Sequence, residues 1–257
     1  MSAAGQARQV SRVMIAIDSA TSPASVLETG VGLAGAIGAS LEARFFEDLD
    51  LLRLGALPFA IELCALTGAR QELSSRHIER ALRLEAARQE KLLAASAERT
   101  RVPWTFAVAR GQRLTAAIAH EAELVVLGPR APGRRGIARA GPTGPVAAMF
   151  DTSDAAARVM SAAASLAASL ACEMLILVPD GESRSAQARR DAAQAWLAAE
   201  GRGGRVVAVV PELAALVAAV RTQHSAVLAL PASALAAWPL DMDTLRDELV
   251  CPLVFAR

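Results

Sequence analysis

The stretch Glu123–Asp151, ELVVLGPRAPGRRGIARAGPTGPVAAMFD, holds a short apolar run, a loop of Gly, Pro and Arg, and a second apolar run stopping at an aspartate. Leu124 to Leu127 and Val146 to Phe150 are four or five residues long and bounded by Gly and Pro, the pattern of strands buried on both faces. Between Leu124 and Phe150 there is no Asp or Glu, while Arg130, Arg134, Arg135 and Arg139 are present. An anion reaching this loop would meet glycine backbone and uncompensated positive charge together.

On either side of the loop the same pattern runs twice. Upstream, Val13 to Ile17 reads as a strand ending at Asp18, and Ser22-Pro23 supplies a cap and first-turn proline for a helix through Val26, Leu27, Val31, Ala34 and Ile37. Leu41, Ala43 and Phe45 then alternate as a second strand. Downstream, Val146 to Phe150 ends at Asp151, Thr152 or Ser153 caps a helix through Val159, Leu166 and Leu170, and Met174 to Val178 is the next strand. Asp18 to Phe46 spans 28 positions and Asp151 to Val178 spans 27, at an offset of 133, which reads as a duplicated unit.

Each half continues with further strands and helices. In the first, a long helix capped near Ser74 or Ser75 carries Ile78, Leu82, Leu92 and Leu93, with Glu79 and Arg83 as an i,i+4 pair. Trp104, Phe106 and Val108 alternate as a third strand, Thr115 to Ala122 reads as a short helix, and Leu124 to Leu127 is the fourth strand. The segment from Glu47 to Ala69 is too apolar for a solvated loop and is broken by Gly55, Pro58 and Gly68, so it reads as an excursion packed on the domain. In the second half come a helix around Trp196, a strand Val206 to Val210, a helix opening at Pro211, a strand Ala226 to Leu230, a helix around Leu245 and Leu249, and a strand Pro252 to Phe255. Alternating βα units predict a parallel sheet with helices on both faces. No helix or fifth strand fits between Gly128 and Pro145, so the first half is one strand shorter. The domain reading is therefore 1–128, a connecting loop 129–145, and 146–257.

The chain has 257 residues, 53% hydrophobic and 21% charged, with a net charge of +1. This is a globular profile without the basic excess expected of a nucleic-acid or anionic-membrane binder. The N-terminal MSAAGQARQVSR lacks an apolar signal core, and the uncharged stretch Thr222 to Leu240 contains Gln223, His224, Pro231 and Pro239, so a strand and loop fit it better than a membrane span. A cytoplasmic protein is expected. His77, His120 and His224 lie on separate elements with no catalytic or metal-binding spacing, so neither a catalytic nor a metal site is assigned. Gly30, Gly32 and Gly35 fit G-x-G-x-x-G, but that fingerprint must directly follow a strand, and Gly30 lies twelve positions beyond Asp18, inside a helix pattern. Close packing of helix on sheet is the better reading.

The fragments VMIAIDSATSPAS, LLRLGALPFAIEL, PWTFAVARG, ELVVLGPR, PVAAMFDTSDAAARVM and LVCPLVFAR, in this order, resemble a tandem universal stress protein of proteobacterial type. The resemblance implies an α/β architecture of two tandem doubly wound, Rossmann-like parallel-sheet domains forming an internal pseudo-dimer. It implies a cytosolic regulatory binding module and not an enzyme. Nucleotide-binding members carry G-x2-G-x9-G-[S/T] after the fourth strand and an Asp after the first. Carried onto this chain, the cofactor-binding set is Asp18, Ser19, Gly128, Arg130, Gly133, Gly136 and Thr143, with ATP or another adenine nucleotide as ligand. The spacing departs from the family's: counted from Gly133 and Gly136 the third glycine falls on Val146, and the second half has LALPASALAAWPL, without glycine, in the equivalent place. The second half is thus a degenerate copy, and any nucleotide belongs to the first half. The alternative left open is a nucleotide-free structural or adaptor protein that recruits a protein partner through its helical surfaces. Domain pairing within the chain and a homo-oligomer are both compatible with either reading; nucleic-acid and membrane partners are not expected.

Cys64, Cys172 and Cys251 have no CxxC or metal-ligand spacing and read as reduced, non-catalytic thiols. Thiol titration in denaturant without reductant is expected to find three free thiols; a smaller number would contradict this reading.

Overall fold

The computed structural model describes residues 10–21, 23–64, 67–110, 122–130, 144–151, 153–181, 184–237 and 241–257. The strands are β1 (Arg12–Asp18), β2 (Ser40–Glu47), β3 (Ile61–Leu63), β4 (Arg70–Glu72), β5 (Trp104–Arg110), β6 (Leu124–Leu127), β7 (Val146–Met149), β8 (Met174–Pro179), β9 (Gly204–Val209), β10 (Val227–Pro231) and β11 (Leu253–Ala256). The helices are α1 (Pro23–Ile37), α2 (Leu49–Leu54), α3 (Ser75–Thr100), α4 (Asp154–Ser169), α5 (Arg184–Ala199), α6 (Leu213–Thr222), α7 (Ala234–Ala237) and α8 (Met242–Glu248). The expected helix at Thr115 to Ala122 falls largely outside the described residues.

Nine strands form one sheet in the order β5-β2-β1-β6-β11-β10-β7-β8-β9. Read inward from its own edge, each half contributes its third, second, first and fourth strands, and the second half adds β11. Every neighbouring pair is parallel except β6 and β11, which run antiparallel with Leu253 opposite Leu127 and Ala256 opposite Leu124. Within each half the strands of this sheet are parallel, as the βα alternation predicts; the antiparallel pair is the join between the halves, which the sequence did not signal. Among the described residues the first half has no fifth strand of its own to cover the fully apolar β6, and β11 pairs with it from the other half.

Strand alternation sends side chains into two apolar layers. Val13, Ile15 and Ile17 face α1, α3 and α4, whereas Met14 and Ala16 share the opposite layer with Leu216, Val217 and Val220 of α6 and Leu245 of α8. Local signals set the helix starts. The Ser74 hydroxyl accepts from the His77 amide at 3.3 Å, and the Ser153 hydroxyl from the Ala156 amide at 3.1 Å, each satisfying a first-turn donor. Helix α6 begins two residues later than Pro211, after Glu212, which makes no side-chain cap. β5 is one of the two edge strands, and Val108, one of its alternating apolar residues, is half exposed there.

The segment following β2 contains more regular structure than an apolar excursion. Asp48 caps α2, accepting from the Asp50 and Leu51 amides, and β3 pairs antiparallel with β4 as a separate ribbon. Leu51, Leu52 and Leu73 pack on the core, but all three residues of β3 are exposed. Only part of the segment packs on the domain.

Gly30 of α1 has a packing role. A Cβ on Gly30 would lie 2.4 Å from Ile15 Cγ1 and Cδ1, so the helix rests directly on β1 at that turn; one on Gly32 would come no nearer than 3.9 Å, to Leu166 of α4. Gly30→Ala is expected to lower stability by about 1–3 kcal/mol through overpacking. Gly32→Ala should raise it by up to about 1 kcal/mol through helix propensity. Chemical denaturation of the two variants checks the account, which fails if both shift the same way.

Candidate functional site

In a doubly wound sheet the crevice for ligands opens beyond the strand C-termini where the strand order reverses. In the first half that point lies between β1 and β6, so it is bounded by Asp18 to Thr21 on one side and Gly128 to Arg130 on the other. Thr21 and Arg130 form an antiparallel bridge across it. The Asp18 side chain closes a tight turn, accepting from the Ala20 amide at 3.1 Å and the Thr21 hydroxyl at 2.6 Å.

A group that sequence reading missed occupies this crevice. Arg246, on α8 of the second half, is 1% exposed and points between the two loops. Its Nη1 and Nη2 donate to the two carboxylate oxygens of Asp18 at 3.0 and 3.1 Å, Nη2 also donates to the Thr21 hydroxyl at 3.0 Å, and Nε donates to the Gly128 carbonyl at 2.9 Å. This planar fork matches a carboxylate with two parallel bonds. All three guanidinium nitrogens and both carboxylate oxygens are engaged, which is what permits burial of the pair.

The second contact reinforces the first. The Arg130 amide donates to the Arg246 carbonyl at 3.0 Å. The Arg130 guanidinium donates to Asp247 at 3.0 and 3.1 Å and to Asp243 at 2.8 Å, one turn apart on α8. Burial lowers the affinity of Arg130 for its proton, but Asp247, Asp243 and Asp18 more than reverse this, and its pKa is raised. α8 thus exchanges two arginine-carboxylate contacts with the first half, one buried and one at the surface.

Of the residues expected to hold a nucleotide, the structure brings Asp18, Gly128 and Arg130 together around Arg246. Ser19 is exposed on the same turn. Gly133, Gly136 and Thr143 lie outside the described residues, as do Arg134, Arg135 and Arg139. In the second half, Asp151 accepts from the Ser153 amide at 2.6 Å and the Ser233 hydroxyl at 3.4 Å, and among the described residues no cation pairs with it. One sequence signal for Arg246 existed: it is the only cation in DMDTLRDE, residues 241–248, and it directly follows Leu245 of the apolar stripe. Its target, 228 positions away, had no signal.

Among the described residues no group of three His, Cys, Asp or Glu is placed to hold a metal. All three cysteines are free of disulfides; Cys251 is buried, and burial pushes its thiol up to about 12. No helix among the described residues is long and apolar enough to cross a membrane.

Burial alone would raise the Asp18 pKa, but hydrogen bonding and charge from Arg246, followed by Thr21 and Ala20, hold it below its usual range. A carboxyl depressed in the folded state contributes stability that is fully present above its unfolded value, about 3.9, and is lost as pH falls through the folded value. Arg246→Met is expected to cost about 3 kcal/mol at pH 7, since it leaves a largely buried carboxylate unpaired. The deficit against wild type should shrink as pH falls, first as the unpaired, buried carboxyl of the variant takes up a proton and then, below about pH 4, as wild type loses the contribution of its depressed carboxyl. Urea denaturation at a series of pH values measures this; a pH-independent deficit would show that Arg246 acts by packing alone.

No protein-family model matches the chain, and no curated protein matches it significantly. Solved structures do match in shape. A universal stress protein from Archaeoglobus fulgidus superposes with a TM-score of 0.53 at 11% identity, covering 95% of this chain and 96% of that one. A candidate universal stress protein from Pseudomonas aeruginosa gives 0.52 at 12% identity, over 97% and 94% of the two chains. A functionally unknown protein from the same species gives 0.52 at 10% identity, over 97% and 93%. At such identities the likeness concerns architecture: the chain has the α/β fold seen in solved universal stress proteins.

Proposed function

We propose that this chain is a tandem regulatory module of the universal stress protein type that works without bound nucleotide, as a structural or adaptor protein. Residues 1–128 and 146–257 act as two domains paired within one chain. Their junction is the antiparallel β6–β11 contact together with α8, which docks in the first-half crevice. The module acts in the cytoplasm, recruits a protein partner through its helical surfaces and performs no chemistry of its own.

The observation that carries this reading is the position of Arg246. A nucleoside hydroxyl seeking Asp18 would have to displace a bidentate, charge-assisted pair and leave the Arg246 guanidinium, 1% exposed, without its partner. Breaking one side of such a pair costs about 3–5 kcal/mol, as much as a hundred-fold or more in affinity. Arg130, which bridges to Thr21 at the crevice, is held by Asp243 and Asp247, so it offers a phosphate little free charge.

Native mass spectrometry of freshly purified protein, followed by calorimetric titration with ATP, tests the proposal. The expected outcome is a mass equal to that of the polypeptide and no saturable heat. A co-purifying nucleotide, or one saturable site per chain, would instead favour an adenine-nucleotide sensor in the first half whose ligand displaces α8.

A further inference from the structure

The β3–β4 ribbon carries an unusual surface for a region outside the sheet. Its pairs are Ile61 with Glu72, Glu62 with Gln71 and Leu63 with Arg70. Directly paired residues share a face, so Ile61, Leu63, Arg70 and Glu72 lie together on one side. At the base of the ribbon, Ala60 is buried and Leu73 packs on the core, both on the opposite side, which turns the Ile61 face outward. Ile61 is 62% exposed and Leu63 61%, and Phe59, two residues earlier, is 76% exposed. Large apolar side chains clustered at such exposure mark a contact surface more often than they occur by chance on a monomer. A two-stranded ribbon is also at best marginally stable in water by itself.

Charge selects the occupant. Arg70 and Glu72 flank the apolar row on the same face, both are exposed, and neither has an ion-pair partner among the described residues. A cationic or anionic partner would match one of them and oppose the other, whereas a surface with one charge of each sign on either side of a midpoint complements itself. A two-fold axis crossing the ribbon at the level of Glu62 and Gln71 sets Arg70 against Glu72 of a second copy and Glu72 against its Arg70. The same operation sets Ile61 against Leu63 of the second copy and Leu63 against its Ile61. Both apolar and charged matches therefore come from one axis.

We infer that this ribbon face is a self-association surface, through which two copies of the chain pack face to face about that axis. None of these ribbon residues takes part in the hydrogen bonds around Arg246, and the inference does not depend on whether a nucleotide binds in that crevice. A ribbon face of this size falls in the small, transient class of interface, so the dimer dissociates on dilution.

Sedimentation equilibrium of the full-length protein over a concentration series tests this, with circular dichroism to confirm folding of each variant. Wild type is expected to show a monomer–dimer equilibrium. Arg70→Glu and Glu72→Arg each place like charges opposite one another twice per dimer, and each should weaken association by about ten-fold or more. The double variant Arg70→Glu with Glu72→Arg restores both pairs and should return to within about three-fold of wild type. Ile61→Asp with Leu63→Asp should remain monomeric. The inference is overturned if wild type is monomeric up to roughly 0.1 mM, if the single charge reversals associate as wild type does, or if the double reversal is no better than either single one.

Discussion

The contact between Asp18 and Arg246 joins the start of the chain to its end, and the relation of the two halves depends on it. A buried ion pair is costly to desolvate and is retained only where every polar atom finds a partner. Here the carboxylate oxygens are taken by Arg246, Thr21 and Ala20, and the guanidinium by Asp18, Thr21 and Gly128. That saturation requires three segments in register: the turn after β1, the turn after β6 and the helix before β11. Movement of any one leaves a charge unpaired. The pair therefore specifies one docking geometry of α8 on the first half more sharply than apolar contact could.

The geometry is available because β11 lies next to β6. In the second half β11 is simply the fifth strand of a doubly wound order, reached from β10 through α8. Pairing its free side with β6 closes an edge that no described strand of the first half covers. It also carries α8 across the seam, so that Leu245 of that helix enters the same apolar layer as Met14 of β1. Leu245 and Arg246 are consecutive, and they divide the work: one packs under the sheet face, the other reaches the crevice at the strand ends. Among the described residues, Asp151 in the corresponding crevice of the second half bonds to two short, uncharged neighbours, Ser153 and Ser233. The two halves share a strand order but not an electrostatic arrangement.

The ribbon after α2 shows a different balance. Gly55 lets α2 approach α3 closely: a Cβ there would lie 2.4 Å from Ile78 and about 3.1 Å from the Ser75 backbone. That anchors one end of the excursion, while Phe59, Ile61 and Leu63 remain in water. Apolar composition correctly signalled that the segment was no ordinary loop, but composition does not say whether a surface is covered by its own chain or by another.

Periodicity within the sequence determined the elements. Short runs such as Leu124–Leu127 and Val146–Met149 are strands because branched and apolar residues bounded by Gly, Pro and Asp suit a fully buried pleat. Ser74 and Ser153 start helices because their hydroxyls replace missing backbone acceptors for first-turn amides. The misplacement of the Gly30 fingerprint was legible for the same reason, since it depends only on spacing. Asp18, Gly128 and Arg130 were also legible as neighbours, because a doubly wound order brings the ends of the first and fourth strands together. What only the tertiary structure decided is what meets them there. The antiparallel β6–β11 register and the reach of Arg246 to Asp18 connect residues more than a hundred positions apart, and neither leaves a local period in the chain. They follow from which edge remains open once each half has folded and from which cation can be buried with all its hydrogen bonds made.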